Sequence, residues 1–216
     1  MLTGMAHRKL STAGPAALVR GACAGAVAIA ISGCGGSASN PFDNPATVVN
    51  PETVSGQRLS FAYFQKCINP IFVALLQIQL NGTTSTNTCA GSGCHDTTTG
   101  TGGAFRVVPT AQPLDVTDPA NTPDVIRVSD MYKNFYSAQG EVVLGSAAQS
   151  RLLAKPLLLN VLHGGGLIFA NASDPNATLI RYWISHPAPL GQDEFSAATY
   201  AMFTPPDPKA GTCNTQ

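Results

Sequence analysis

Large apolar residues crowd toward two regions of this chain, with a long polar stretch between them. From Ser60 the run "SFAYFQKCINPIFVALLQIQL" carries Phe64, Cys67, Ile71, Leu75 and Ile78 at intervals of three and four. That spacing predicts a pair of core-facing helical pieces. Ser60 suits the N-cap, and Pro70 suits the first turn of the second piece. A helix is predicted over 122–139, capped by Thr122 and stopped by Gly140. It would turn Val125, Val128, Met131, Tyr132 and Phe135 to one face. "SRLLAKP" predicts a short helix ending near Pro156, and "HGGG" at 163–166 a tight turn. The clearest helix is "SDPNATLIRYWISHP", capped by Asp174, with Pro175 at its first position and a stripe of Ala177, Ile180, Trp183 and Ile184.

Between these elements, 81–103 is almost wholly small and polar, and needs something to order it, such as a cofactor or a disulfide. "AFRVVPTAQPLDV" is too broken by proline for a central strand. The expected architecture is therefore mainly α, with long polar loops and little strand.

The first segment is read as a targeting sequence. His7, Arg8, Lys9 and Arg20 precede an Ala-rich apolar run over 22–31, too short to span a membrane permanently. The run ends at Ile31-Ser32-Gly33-Cys34 and resembles a bacterial lipoprotein signal. The resemblance implies cleavage before Cys34, lipid on its sulfur, and membrane attachment through that anchor. Gly35, by analogy with that family, points to the outer membrane. Residues 1–33 are thus signal and 34–56 a Gly/Ser/Asn/Pro-rich tether. Residues 57–190 are the folded domain, and 191–216 a Pro/Ala-rich tail.

Composition narrows the function. The 216 residues carry no formal net charge and only 11% charged side chains, so there is no basic field to attract nucleic acid. Export makes disulfides permissible. With Cys23 in the signal and Cys34 lipidated, four cysteines remain: Cys67, Cys89, Cys94 and Cys213. The simplest use of Cys67 and Cys213 is a disulfide pinning the tail to the first helix, although spacing alone does not fix connectivity.

The candidate chemistry lies in "CAGSGCH", 89–95. A c-type haem site needs two thiols for the porphyrin vinyl groups and a histidine beside the second thiol. It also needs a loop that tolerates close approach of the ring. Cys89, Cys94 and His95 supply the first two, and Ala90, Gly91, Ser92 and Gly93 the third. The usual gap is two residues, whereas here it is four. On these seven residues alone, covalent haem and a disulfide between Cys89 and Cys94 stand level. Zinc is disfavoured, because too few further Cys or His lie nearby.

Five segments in order then resemble the small cytochrome-c-like domain of planctomycete-type cytochromes. They are Cys89-Ala-Gly-Ser-Gly-Cys94-His95, Gly102-Gly103-Ala104-Phe105-Arg106, Ser150-Arg-Leu-Leu-Ala-Lys155-Pro156, His163-Gly164-Gly165-Gly166 and Trp183-Ile184. The likeness covers about 60–190, with Asp96 standing where the family has glycine. It implies a cytochrome-c-like helical domain holding covalent haem c on Cys89 and Cys94. His95 would be the proximal iron ligand and His163 the distal one, with Met131 and Met202 as alternatives. The implied role is electron transfer in the cell envelope with a redox partner protein, or haem-based sensing. No catalytic base or nucleophile pair stands out, so no enzyme activity is expected beyond weak peroxidase-like behaviour at an open iron position. The rival expectation is a haem-free structural or binding lipoprotein in which Cys89 and Cys94 form a disulfide.

Overall fold

The computed structural model describes residues 58–216. The expected signal peptide, the lipidated Cys34 and the tether to residue 56 lie outside the described residues.

Helix α1 spans Phe61–Tyr63, and the Ser60 hydroxyl accepts from the Tyr63 amide, as an N-cap should. A π-turn, Phe64–Ile68, continues it into α2, Asn69–Val73. Pro70 has no N–H to extend a regular ladder, and the Asn69 amide reaches back five residues to the Phe64 carbonyl.

The apolar run then stops being helical. Leu76–Leu80 forms β1, paired antiparallel with β2, Thr83–Asn87, in a register setting Leu76 against Asn87 and Leu80 against Thr83. Asn81 and Gly82 make the turn with φ of 52° and 77°, the conformation that Asn-Gly favours in a two-residue hairpin. A second small sheet joins β3, Phe203–Thr204, to β4, Thr212–Cys213. The fold is thus mixed α/β with two small antiparallel sheets, which corrects the mainly α, cytochrome-c-like expectation. The physical reason lies in "LQIQL", whose strict alternation of apolar residues and Gln has the two-residue period of a strand. A helical stripe through Leu75 and Ile78 ignores that period, and Leu75 is in fact exposed.

The predicted helix over 122–139 divides into α3, Pro123–Arg127, and α4, Asp130–Gln139. Ser129 caps α4 by accepting from the Tyr132 amide. The break resets the helical phase. Val125 and Val128 face solvent, while Ile126, Met131 and Phe135 are buried. Helix α5 is Arg151–Ala154, and α6 is Pro175–Ser185, with Asp174 accepting from the Asn176 and Ala177 amides.

Aromatic side chains knit the core. Phe64 lies 5.4 Å from Trp183 and 5.5 Å from Phe135, and Phe61 meets Phe135 edge-on at 5.5 Å. Offset and edge-to-face pairs at these separations add to simple area burial. The Trp183 indole N–H donates to the Ser60 carbonyl at 3.0 Å, which satisfies a buried donor and ties α6 to the cap of α1. The C-terminal segment, 191–216, joins this core. Phe61 N donates to the Glu194 carbonyl, Ser60 Oγ to Thr199, and the Tyr63 hydroxyl to the Asn214 carbonyl. Cys67 and Cys213 are disulfide-bonded, joining the π-turn to β4.

Candidate functional site

The segment 88–103 follows directly from the hairpin. Hydrogen bonds within it and to Phe72, Phe105 and Val107 order it, and no disulfide closes it. Ala90 N donates to the Phe72 carbonyl, Cys94 N to Gly91, and His95 N to Cys89. Asp96 accepts from the Thr98 and Thr99 amides and from the Thr99 hydroxyl, an Asx-type turn. These bonds hold its carboxyl below the ordinary carboxylate range. A glycine at 96 would remove that turn.

Two further contacts place His95. Val107 N donates to the His95 carbonyl at 2.8 Å, and the ring Nδ1–H donates to the Phe105 carbonyl at 3.1 Å. Residues 105–108 are in turn held by α4. Arg106 N donates to Ser137 Oγ, and Val108 N to Asn134 Oδ1. Gly102 backs the imidazole so closely that a Cβ there would meet His95 Nδ1 at 2.6 Å.

The 163–166 turn is placed by β1. Gln79 and Leu167 exchange both backbone hydrogen bonds, each at 2.9 Å. Gly166, at φ +75°, packs against the Gln79 carbonyl with no room for a Cβ. The Gly166 carbonyl accepts from His163 Nδ1 at 2.8 Å. This brings the His163 and His95 rings to 6.3 Å between centroids, with planes 15° apart. Each Nδ1 is a donor, so each Nε2 is left as an acceptor. Burial pushes both imidazoles toward the neutral form, and Lys155 adds to this.

The structure places the other expected site residues as follows. Cys89 and Cys94 are half-buried free thiols, so the disulfide between them expected of the haem-free reading is not formed. Burial, with the Cys94 thiol adding, pushes Cys89 up to about 11. Asn87 Nδ2 points at Cys94 Sγ at 3.8 Å. Met131 and Met202 are buried in the hydrophobic core. A cavity lined by Arg127, Tyr132 and Glu194 among others includes none of Cys89, Cys94, His95 or His163.

Neither a protein-family model, nor a curated protein, nor a solved structure matches the chain. This corrects the cytochrome-c-like assignment, since five short motifs in order do not amount to membership. The covalent haem c, the iron site on His95 with His163, and the electron-transfer role fall with it. Among the described residues, no group of three or more His, Cys, Asp or Glu is arranged to hold a metal ion. The disulfide found is the long-range one between Cys67 and Cys213.

Sequence reasoning missed a polar cluster that the tail completes. Glu194, almost wholly buried, accepts from Tyr132 Oη at 2.8 Å and from Arg127 Nε at 3.1 Å. Burial works against its charge, but a backbone hydrogen bond, Tyr132 and Arg127 together hold it below its ordinary value. A lone Glu in a Pro/Ala-rich stretch carries no local signal of this, because its partners lie 62 and 67 residues away.

Proposed function

We propose that the chain is an exported, lipid-anchored, haem-free protein of the bacterial cell envelope, with a structural or binding role and no catalytic one. The observation that carries this reading is the disulfide between Cys67 and Cys213, 146 residues apart. Such bonds form and persist in oxidising compartments and are rare in the cytosol. The basic start, the apolar run and the Ile31-Ser32-Gly33-Cys34 segment supply the export route and the anchor. In this reading residue 34 carries the lipid, 35–56 is a spacer, and the folded domain stands clear of the outer-membrane surface.

The test is made on the full chain in a bacterial host with a lipoprotein pathway. The expected result is incorporation of labelled palmitate that Cys34→Ser abolishes, together with a Cys67–Cys213 linked peptide under non-reducing mass spectrometry. Reduced Cys67 and Cys213 in a cytosolic, lipid-free product would overturn the reading.

A further inference from the structure

The hairpin leaves one strand edge without a partner among the described residues. β2 is the outer strand of its two-stranded sheet, and Thr83–Asn87 is exposed along its whole length. The register says which backbone groups face outward. In a hairpin with a two-residue turn the flanking pair, here Leu80 and Thr83, is hydrogen-bonded, and the pairing alternates from there. Gln79 opposite Thr84, and Gln77 opposite Thr86, therefore turn their N–H and C=O groups away from each other. Gln79 confirms the phase, because both of its outward groups bond Leu167. The matching groups of Thr84 and Thr86 make no backbone hydrogen bond among the described residues.

Such an edge is a template for another strand, and proteins commonly blunt it with charge, proline or a bulge. β2 has none of these. No charged side chain occurs from residue 67 to 94, no proline interrupts Thr83–Asn87, and its residues pair one to one with β1.

The edge also fits a copy of itself. Thr84-Ser85-Thr86 reads the same in both directions. Two such strands, antiparallel about a two-fold axis at Ser85, set each Thr84 opposite Thr86 of the second copy. Each pair then exchanges both backbone hydrogen bonds, and the side chains form Thr–Thr pairs of the kind that stabilise sheets. A foreign peptide is selected through pockets for alternate side chains, whereas every β2 residue stands in solvent.

We propose that β2 is a self-association edge, through which two copies of this chain join their hairpins into one continuous antiparallel sheet. The inference rests on the binding half of the proposed function and names the partner as a second copy. One strand edge buries far less than the roughly 1,600 Å² of a standard interface. The contact is therefore weak, and copies held on one membrane surface meet at the concentration it needs.

The test introduces a thiol on the axis. Ser85→Cys, with Cys89→Ser and Cys94→Ser to remove the free thiols, is made in the full chain. The protein is exported and oxidised with copper phenanthroline in intact cells of the bacterial host. In the proposed register the two positions 85 form a non-hydrogen-bonded pair with Cα atoms about 4.5 Å apart, which a disulfide spans. The expected result is a dimer on a non-reducing gel, with peptides linked through position 85. Thr84→Cys in the same background sets its two sulfurs on diagonal positions about 8 Å apart, and should link about tenfold less. Thr84→Pro added to Ser85→Cys removes an outward N–H that β1 does not use, so the linked fraction should fall about tenfold while the hairpin stays. Amide protection of β1 checks the hairpin, and if the proline disturbs it the contrast between positions 85 and 84 still decides. The palmitate label and the linked peptide are read separately, so either can fail alone. Absence of a linked dimer, equal linkage at 84 and 85, linkage that survives the proline, or linkage of position 85 to a different protein overturns the proposal.

Discussion

Asn134 donates from Nδ2 to Asn69 Oδ1 at 2.9 Å across 65 residues of chain, in the interior of the molecule. The same amide also accepts from Val108 N at 2.7 Å and donates to the Val108 carbonyl at 3.0 Å. One buried side chain therefore ties α2, α4 and the 105–108 segment together, and that segment carries the carbonyl on which His95 rests. Replacing Asn134 by Ala leaves Asn69 and Val108 without these partners. The expected cost is about 3 kcal/mol in a denaturant titration. The His95 ring resonances should shift in NMR although His95 itself is untouched.

The disulfide between Cys67 and Cys213 closes a loop of 146 residues. In chain-entropy terms this constrains the unfolded state by about 5 kcal/mol. For a domain of this length, Cys67→Ala with Cys213→Ala is expected to lower Tm by roughly 10–20 °C. The Tyr63 hydroxyl contact to the Asn214 carbonyl should weaken with it, which hydrogen exchange at the C-terminus would detect.

His95 and His163 are both held below the ordinary imidazole value of 6.5, chiefly by burial. The unfolded chain therefore binds these protons at higher pH than the folded one does. Stability from the neutral pair is complete above about pH 6.5 and drains as pH falls from there through the folded values. Asp96, Asp115 and Asp207 are depressed from 3.8, so their losses come at much lower pH. Thermal melts between about pH 7.5 and 5 should thus fall with acidification. The double variant His95→Gln, His163→Gln should flatten that slope, and an unchanged slope would show that other groups govern it.

Gly166 sits at φ +75° with the Gln79 carbonyl where a Cβ would be. Gly166→Ala combines backbone strain with that clash, and is expected to cost more than about 1 kcal/mol. The Gln79 and Leu167 amides, which donate to each other's carbonyls, should lose hydrogen-exchange protection first. Gly164→Ala is the control, because nothing lies within 4 Å of a Cβ there.

Local chemistry is what could be read without coordinates. Helix α6 carries its start signal in Asp174-Pro175 and its burial pattern in Ala177, Ile180, Trp183 and Ile184, all of them buried. The hairpin was legible too, in the alternation of "LQIQL" and in Asn81-Gly82, but it is hidden by a helical spacing that runs into it from Phe64 and Ile71. The break between α3 and α4 had a signal in Ser129, which can cap a helix as readily as Thr122. The motifs around Cys89, His95 and His163 were visible as residues, yet their order along the chain did not make them a haem site.

From the sequence alone came the Ser60 and Asp174 caps, the glycine turns, the cysteines available for pairing and the polar character of 81–103, since each depends on neighbours a few residues apart. Only the tertiary structure decided that Glu194 lies under Arg127 and Tyr132, that Asn134 bridges to Asn69, and that two imidazoles come to rest at 6.3 Å. These contacts join positions about 60 residues or more apart. Their energies depend on burial and on the direction of each hydrogen bond, and neither exists until the chain has closed on itself.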